Sequence, residues 1–518
     1  MSTPSFQIAV IGSGFAGSLM AMVAHRLGFS TALVERGRHP RFAIGESSTP
    51  LANLLLEEIS VEYDLPFVRP LCKWGSWQKQ LPQLACGLKR GFTFYHHEFG
   101  KPFATDAAHR NQLLVGASPN EAIADTHWYR PDFDQYLVTQ AQDLGVSYLD
   151  ETQLVNAREG TAGMHLSGTR RGAAVEISAE LVIDATGPRG FLQRALGLSE
   201  KPLAGFPATQ GLFAHFENVG GLPENFSSPG QTPPFPAEQA AVHHIFPGGW
   251  IWVLKFNNGI TSAGVAATDA VADELHFQEG EPAWRRLLER LPSLGDIFQS
   301  ARAVSPFVHS PRLSFQSAAV AGSRWALLPS AAGFVDPLLS TGFPLTLLGI
   351  QRMGAGLQLG RKDSGFERRL DDYAALTTLE LETTSRLVGA LYATMDRFEL
   401  FKELSLLYFA AASYSETARR LGRPELADGF LLCRQPVFAN QLQLICEAVH
   451  DTVSADAIRQ LSRKIREAID PLDVAGLTDQ SRHPWYPAQA ADLLRNAGKV
   501  NASEAEIRAM LARCGLGR

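Results

Sequence analysis

Uninterrupted apolar runs that end in glycine-rich turns mark roughly the first two thirds of the chain, and helical apolar periodicity marks the rest. Runs without polar alternation are what strands covered on both faces of a parallel sheet require. Ile8-Ala-Val-Ile11 is the first. It is followed by the small-residue turn Gly12-Ser-Gly-Phe-Ala-Gly17, an apolar helical stretch, and a second run, Thr31-Ala-Leu-Val34, closed by Glu35. A third run, Glu180-Leu-Val-Ile-Asp-Ala-Thr-Gly187, ends in another such turn, and Ala331-Ala-Gly-Phe-Val-Asp-Pro-Leu-Leu-Ser-Thr-Gly342 predicts a turn feeding an apolar helix that Phe343 begins. Residues 84 to 130 and 205 to 320 are rich in aromatics and β-formers, whereas 145 to 187 read as short strands. Within the second β-rich part, Gly230-Gln-Thr-Pro-Pro-Phe-Pro236 has no periodicity and predicts a surface excursion. Arg130-Pro-Asp-Phe-Asp134 starts a helix, with Asp132 or Asp134 in its first turn, and Glu367 to Arg397 and Phe398 to Leu421 read as long helices.

The predicted class is therefore α/β. Segments of about 1–60, 145–200 and 320–360 build one Rossmann-like domain over residues 1–360, a β-sheet substrate part (about 84–130 and 205–320) is interleaved with it, and 361–518 form a helical region.

The first turn carries chemistry. Gly12 makes the tight turn, Gly14 lets backbone approach a pyrophosphate, and Gly17 lets helix pack on strand. Glu35, about 20 residues on, is positioned to accept ribose hydroxyls. The Gly/Ser/Pro stretch from Arg36 to Pro50 then allows backbone to lie along an extended cofactor, which a nicotinamide enzyme does not need. No second glycine-rich nucleotide unit follows, so reduced cofactor is expected from a separate reductase.

Composition fits a large enzyme: 518 residues, 45% hydrophobic and 19% charged, with a net charge of −6 that gives no footprint for nucleic acid or an anionic membrane. Cys72, Cys86, Cys433, Cys446 and Cys514 show neither CxxC nor metal spacing, so no metal is expected, and reduced thiols point to the cytoplasm. The first apolar run begins within a few residues of Met1, so no signal peptide is expected, and the most apolar stretch, Phe343 to Ile350, is too short to span a bilayer.

Three such segments returning to one cofactor resemble the FAD-binding fold of flavin monooxygenases and flavin-dependent halogenases, over roughly residues 6 to 420. Resemblance to the halogenases is close in three places. Gly87-Leu-Lys-Arg-Gly-Phe-Thr-Phe-Tyr-His-His97 looks like the strand that carries the halogenating lysine of the phenol- and pyrrole-acting branch, which implies Lys89 as the catalytic group. Lys73 and Lys79 lack that strand pattern. Gly249-Trp-Ile-Trp-Val-Leu-Lys-Phe256 resembles the W-x-W-x-I-P motif, with Trp250 and Trp252 as the wall between flavin and substrate; Leu254 and Lys255 depart from it. Asp336-Pro-Leu-Leu-Ser-Thr-Gly342 resembles the segment beside the flavin, where the backbone N–H groups of Thr341 and Gly342 offer a nest for halide. Tryptophan-halogenating members carry a glutamate where this chain has Leu339, which implies a ring already activated, as in a phenol or pyrrole. Pro329 and Ser330 also depart from the usual pair.

The cofactor set implied is Gly12, Ser13, Gly14, Ala16, Gly17, Glu35, Arg36, Arg41, Ile44, Ser47, Arg130, Asp336, Pro337 and Phe343. On this reading, reduced FAD, oxygen and a halide (chloride or bromide) give hypohalous acid. Lys89 delivers it to a small aromatic, free or on a carrier protein, in a pocket lined by Phe92, Phe94 and Tyr95, with His96, His97 or Glu98 as base. An FAD monooxygenase or dehydrogenase and a non-catalytic flavoprotein are the alternatives. The last 100 residues match no motif; Arg459 to Arg466 reads as a solvated helix, with a lid or partner surface as the other possibility.

Overall fold

The computed structural model describes residues 4–161, 163–226, 232–361 and 363–516. Ser5–Ile11, Thr31–Val34, Ala173–Asp184 and Trp325–Leu327 pair in parallel, and Ser147–Leu149 extends the sheet beyond Thr31–Val34. Ile8 lies opposite Leu181 on one side and Thr31 on the other, so the first and third apolar runs meet at the centre of the sheet. Ile8, Ala9, Val10, Leu181, Val182 and Ile183 are fully buried, which is why these runs carry no polar alternation. Helix Phe15–Arg26 packs on helix Gly342–Gln358, bringing the glycine turn and the late Ser-Thr-Gly turn to one end of the sheet.

A second sheet, nine-stranded and mainly antiparallel, orders Thr209–Glu217, Thr261–Thr268, Gly249–Lys255, Ala241–Phe246, Gly91–His96 and Gln112–Gly116 side by side. Trp485–Tyr486, from the C-terminal region, adds a parallel strand at the Gln112–Gly116 edge. The architecture is the mixed α/β arrangement expected, with long helices Phe366–Tyr392 and Phe398–Arg420 following it.

Several details differ from the sequence reading. The segment from Gly87 to His97 is two strands in different sheets. Cys86–Lys89 pairs antiparallel with Asp125–Trp128, and the chain leaves that ladder at Arg90, whose N–H donates to the Gln239 carbonyl at 2.6 Å, before Gly91–His96 enters the large sheet. The helix after the Ser-Thr-Gly turn begins at Gly342, not Phe343. Of the proline-rich loop, Gly230 and Gln231 lie outside the described residues, and the remainder is no simple surface excursion, because Phe235 is buried against Leu114 and Ala240. In helix Ala455–Ile469 one face is solvated, but Leu461 and Ile465 are buried and Arg466 pairs with the buried Glu403. Among the described residues no helix is long and apolar enough to cross a membrane.

Candidate functional site

The glycine turn is built as its spacing requires. Gly12 has φ +95°, and a Cβ there would stand 2.8 Å from the Ala185 carbonyl oxygen; a Cβ on Gly17 would stand 1.8 Å from the Gly12 oxygen, so helix and strand meet closer than any side chain permits. Glu35 is buried beside the turn and accepts the N–H and hydroxyl of Ser13, each at 3.0 Å, and the Gly37 N–H at 3.0 Å. Burial raises the pKa of this carboxyl, but Arg41 at 3.5 Å and the three donors hold it below the usual value. Arg36 is exposed and, like Gly12, Ser13, Gly17 and Glu35, is not among the residues that line the cavity beside the turn.

That cavity has a volume of about 640 Å³. Gly14, Ala16, Arg41, Ile44, Ser47 and Arg130 line one side. Asp336, Pro337, Thr341, Gly342 and Phe343 line the other, joining residues more than 300 positions apart. Arg130 forms a bidentate pair with Asp134 at 2.8 Å and donates to the carbonyls of Ile44 and Gly45, fixing the strap that runs along the cavity. Phe343 stacks on Trp128 at 4.2 Å. A Cβ on Gly342 would meet nothing within 4 Å, so the start of its helix faces open space. Backbone approach at Gly14, the buried acid at Glu35 and a long lined cavity are together the shape and chemistry that an extended FAD molecule fits.

Trp250 and Trp252 lie on one face of Gly249–Lys255, ring centroids 5.6 Å apart, and both line this cavity. Trp250 donates its indole N–H to Asp336 Oδ1 at 3.2 Å, and Tyr392 donates to Oδ2 at 2.9 Å. Asp336 is fully enclosed: burial pushes its carboxyl up to about 7, against the pull of the Leu338 N–H, Tyr392 and Trp250. Trp252 donates to Ser262 at 3.2 Å. Lys255, at the position of the missing proline, ends the strand in an ion pair with Glu238.

A second cavity, of about 200 Å³, is lined by Phe92 and Asp125 among others, and Lys89 lies in the lining of neither cavity. Lys89 is 0% exposed. Its ammonium donates to Ser47 Oγ at 2.8 Å and to the Ser48 carbonyl, and sits 3.8 Å from the centre of the Phe92 ring. Ser47 lines the large cavity and Phe92 the small one, so Lys89 stands in the partition. Burial drives its pKa down, opposed by the charge of Asp125, its partner across the two-stranded ladder. The partition has a second bolt, since Tyr408, which lines the small cavity, donates to the Leu339 carbonyl at 2.9 Å.

Of the residues expected in this pocket, only Phe92 lines it. Phe94 stacks on His243 at 4.7 Å, and Tyr95, on the opposite face of its strand, packs into a separate core with Phe103 and Phe226. No base comes from the residues that follow: His96 bonds the Met395 carbonyl, His97 bonds His244 at 2.9 Å inside that second core, and Glu98 is exposed and paired with Lys101. Sequence reading missed Asp125, Glu416 and Arg420, and the C-terminal residues Leu493, Met510 and Leu511, all of which line the small cavity. The signal for Asp125 was an acid at the start of the β-forming run Asp125-Thr-His-Trp128.

Comparison with known proteins agrees with this geometry. Residues 7–324 match the model of the FAD dependent oxidoreductase family. The chain is 27% identical to the tetracycline 7-halogenase of Kitasatospora aureofaciens, over 98% of this chain and 95% of that protein. It is 28% identical to the monodechloroaminopyrrolnitrin halogenase PrnC of Pseudomonas fluorescens, over 78% of this chain and 70% of that one. The fold is similar to that of halogenase PltM, solved with phloroglucinol and FAD, at a TM-score of 0.81 and 22% identity, covering 93% of this chain and 99% of that one. By its site and by the match across more than half its length, the chain belongs to the FAD-dependent oxidoreductase family.

Proposed function

We propose that this protein is a flavin-dependent halogenase acting on a small electron-rich aromatic, a phenol or a pyrrole. The observation that carries this reading is the complete burial of Lys89, whose ammonium bonds Ser47 from the lining of the large cavity and meets the ring of Phe92 from the lining of the small one. A lysine that merely protects a strand edge keeps its ammonium in water; this one has exchanged water for Ser47, Ser48 and the face of Phe92. Halogenase relatives over most of the chain support the reaction class.

Bound FAD, delivered reduced, supplies the two-electron chemistry by which oxygen and halide become hypohalous acid. The chain's residues do the rest. Gly12, Gly14 and Gly17 admit the pyrophosphate, with Ser13, Glu35, Arg41 and Arg130 shaping the turn and the strap. Thr341 and Gly342 offer N–H groups to halide at the start of a helix, where the dipole favours an anion. Trp250 and Trp252 keep the organic ring out of the flavin cavity. Lys89 holds the electrophilic halogen and presents it to a ring seated against Phe92. Leu339 offers no carboxylate to stabilise a cationic ring, so the substrate brings its own activation.

Reduced flavin comes from a separate reductase, and the free cysteines suit a reducing cytoplasm. The test is mass spectrometry of phenol and pyrrole panels, free and carrier-bound, with enzyme, a flavin reductase, oxygen and bromide. Brominated product that requires bromide is the expected result. Hydroxylated product formed equally well without halide would overturn the reading in favour of a monooxygenase.

A further inference from the structure

Two carboxylates line the small cavity, Asp125 and Glu416, and their surroundings differ. Glu416 is occupied by Arg420, one helical turn away at 2.7 Å. Asp125 is almost wholly buried; its Oδ1 accepts from Asn53 Nδ2 at 2.8 Å, while its Oδ2 is buried without a hydrogen-bond partner. A bare, buried carboxylate oxygen on a side chain that lines a mainly apolar cavity is an unfavourable arrangement unless a ligand supplies the missing donor. Lys89 does not supply it: its ammonium bonds Ser47 and Ser48, and Asp125 Oδ2 is left without the third N–H. Yet Lys89 and Asp125 face each other in the ladder, so the two side chains leave it on the same side.

We propose that Asp125 is the base for the aromatic substrate, accepting its acidic O–H or ring N–H proton as the adjacent ring carbon takes halogen. The assignment rests on the halogenase reading above. For a phenol, the carbon–halogen bond forms from a ring π pair, and the halogen–oxygen bond of hypohalous acid breaks with its electrons on oxygen. The hydroxide so released takes a proton from the Lys89 ammonium and leaves as water. The phenolic proton passes to Asp125 Oδ2, giving a neutral dienone. Lys89 then removes the ring proton at the halogenated carbon, and Asp125 returns its proton to the oxygen, so both side chains end as they began. Asn53 is a positioning residue that fixes the carboxylate from helix Pro50–Glu62.

Charge around Asp125 suits the task. Burial raises its proton affinity, Lys89 across the ladder opposes that rise, Glu416 reinforces it, and Asn53 and Arg420 oppose it. His127, next but one on the same strand, is fully buried and kept neutral by that burial and by the Lys89 charge.

The experiment compares wild type with Asp125→Asn on three substrates: a phenol neutral at the assay pH, a more acidic fluorinated phenol already ionised, and the O-methyl ether of the first. On the neutral phenol the variant should lose about 100-fold or more of the halogenation rate, the usual scale for a removed base. On the ionised phenol, which needs no base, the gap should close to within a few fold, and the acid limb of the wild-type pH profile should be absent from the variant. A bound fluorinated phenol, followed by its absorbance in unloaded protein, should ionise at lower pH in the variant, because no carboxylate repels the phenolate. If the variant does not fold, the wild type alone decides: the ether should be processed far more slowly than the phenol. Equal ratios on neutral and ionised phenols, or equal wild-type rates on phenol and ether, overturn the assignment. No halogenation of any substrate by wild type would instead sink the halogenase reading.

Discussion

Trp250 and Asp336, 86 residues apart in sequence, are joined by an indole N–H to carboxylate hydrogen bond of 3.2 Å. Trp250 and the segment that carries Thr341 and Gly342 are therefore tied together, and Tyr392 on a third element locks the same carboxylate from its other oxygen. Of the two tryptophans at period two, Trp250 is thus held by an acid in another motif, and Trp252 by Ser262.

Asp336 should make stability pH-dependent. Its pKa is about 7 in the folded chain and 3.8 without the fold, so between those values the folded state holds a proton that the unfolded state has lost. Stability from this group is present in acid and declines as pH rises toward 7, by at most about 4 kcal/mol at 1.36 kcal/mol per pKa unit. Asp336→Asn removes the titration. Melting temperatures of the two proteins from pH 5 to 8 should show the wild type falling behind the variant as pH rises; parallel curves would contradict the assignment.

Gly14→Val should abolish flavin retention and leave the fold intact. Gly14 has φ −66° and ψ 178°, a conformation valine adopts readily, so the backbone is not strained. Its Cβ, however, would stand 3.4 Å from Arg130 and 3.6 Å from Arg41, at the position proposed for the pyrophosphate. Absorbance of bound flavin after gel filtration, alongside circular dichroism, separates the two effects. Undiminished FAD affinity would remove the glycine turn from the cofactor site.

The glycine turn was legible because backbone geometry leaves no other residue for Gly12 and Gly17, and the tryptophans because a period of two assigns a face of a strand. The substrate side was not, because its parts meet only through long-range pairing. Lys89 faces Asp125 through a ladder between strands some 35 residues apart, and helix Glu504–Cys514 reaches the same cavity from the far end of the chain. Local alternation also misled: Gly87 to His97 reads as one strand, and only the departure of the Arg90 N–H to Gln239 shows that Lys89 and the aromatics belong to different sheets.

The sequence carries one glycine-turn nucleotide unit, and the proposed reading has reduced flavin supplied by a separate reductase. Purified protein with FAD and NADPH alone should therefore oxidise NADPH no faster than a protein-free blank, followed by absorbance of the reduced nicotinamide. Brisk oxidation without an added reductase would show that the chain accepts hydride itself and would favour the monooxygenase alternative.

In the proposed role, Lys89 acts after hypohalous acid has formed, so substituting it should separate the halogen-forming step from the halogen-transferring one. Lys89→Ala removes the donor to Ser47 and Ser48 and leaves a void under Phe92, so a stability loss of about 1–3 kcal/mol accompanies it. Lys89→Met keeps most of the volume without the charge and controls for that loss. Both variants should still bind FAD, because the lysine lies outside the flavin cavity's lining, and both should still reoxidise reduced flavin and release free hypohalous acid. Enzymatic halogenation should fall by orders of magnitude, since the proposed carrier of the electrophile is gone. The readout is halogenated product per flavin reoxidised, with a scavenger present to remove free hypohalous acid. A purely structural lysine would lower flavin binding and turnover together, and the methionine variant would restore both. Wild-type yield from either variant would end the role of Lys89 in halogen transfer.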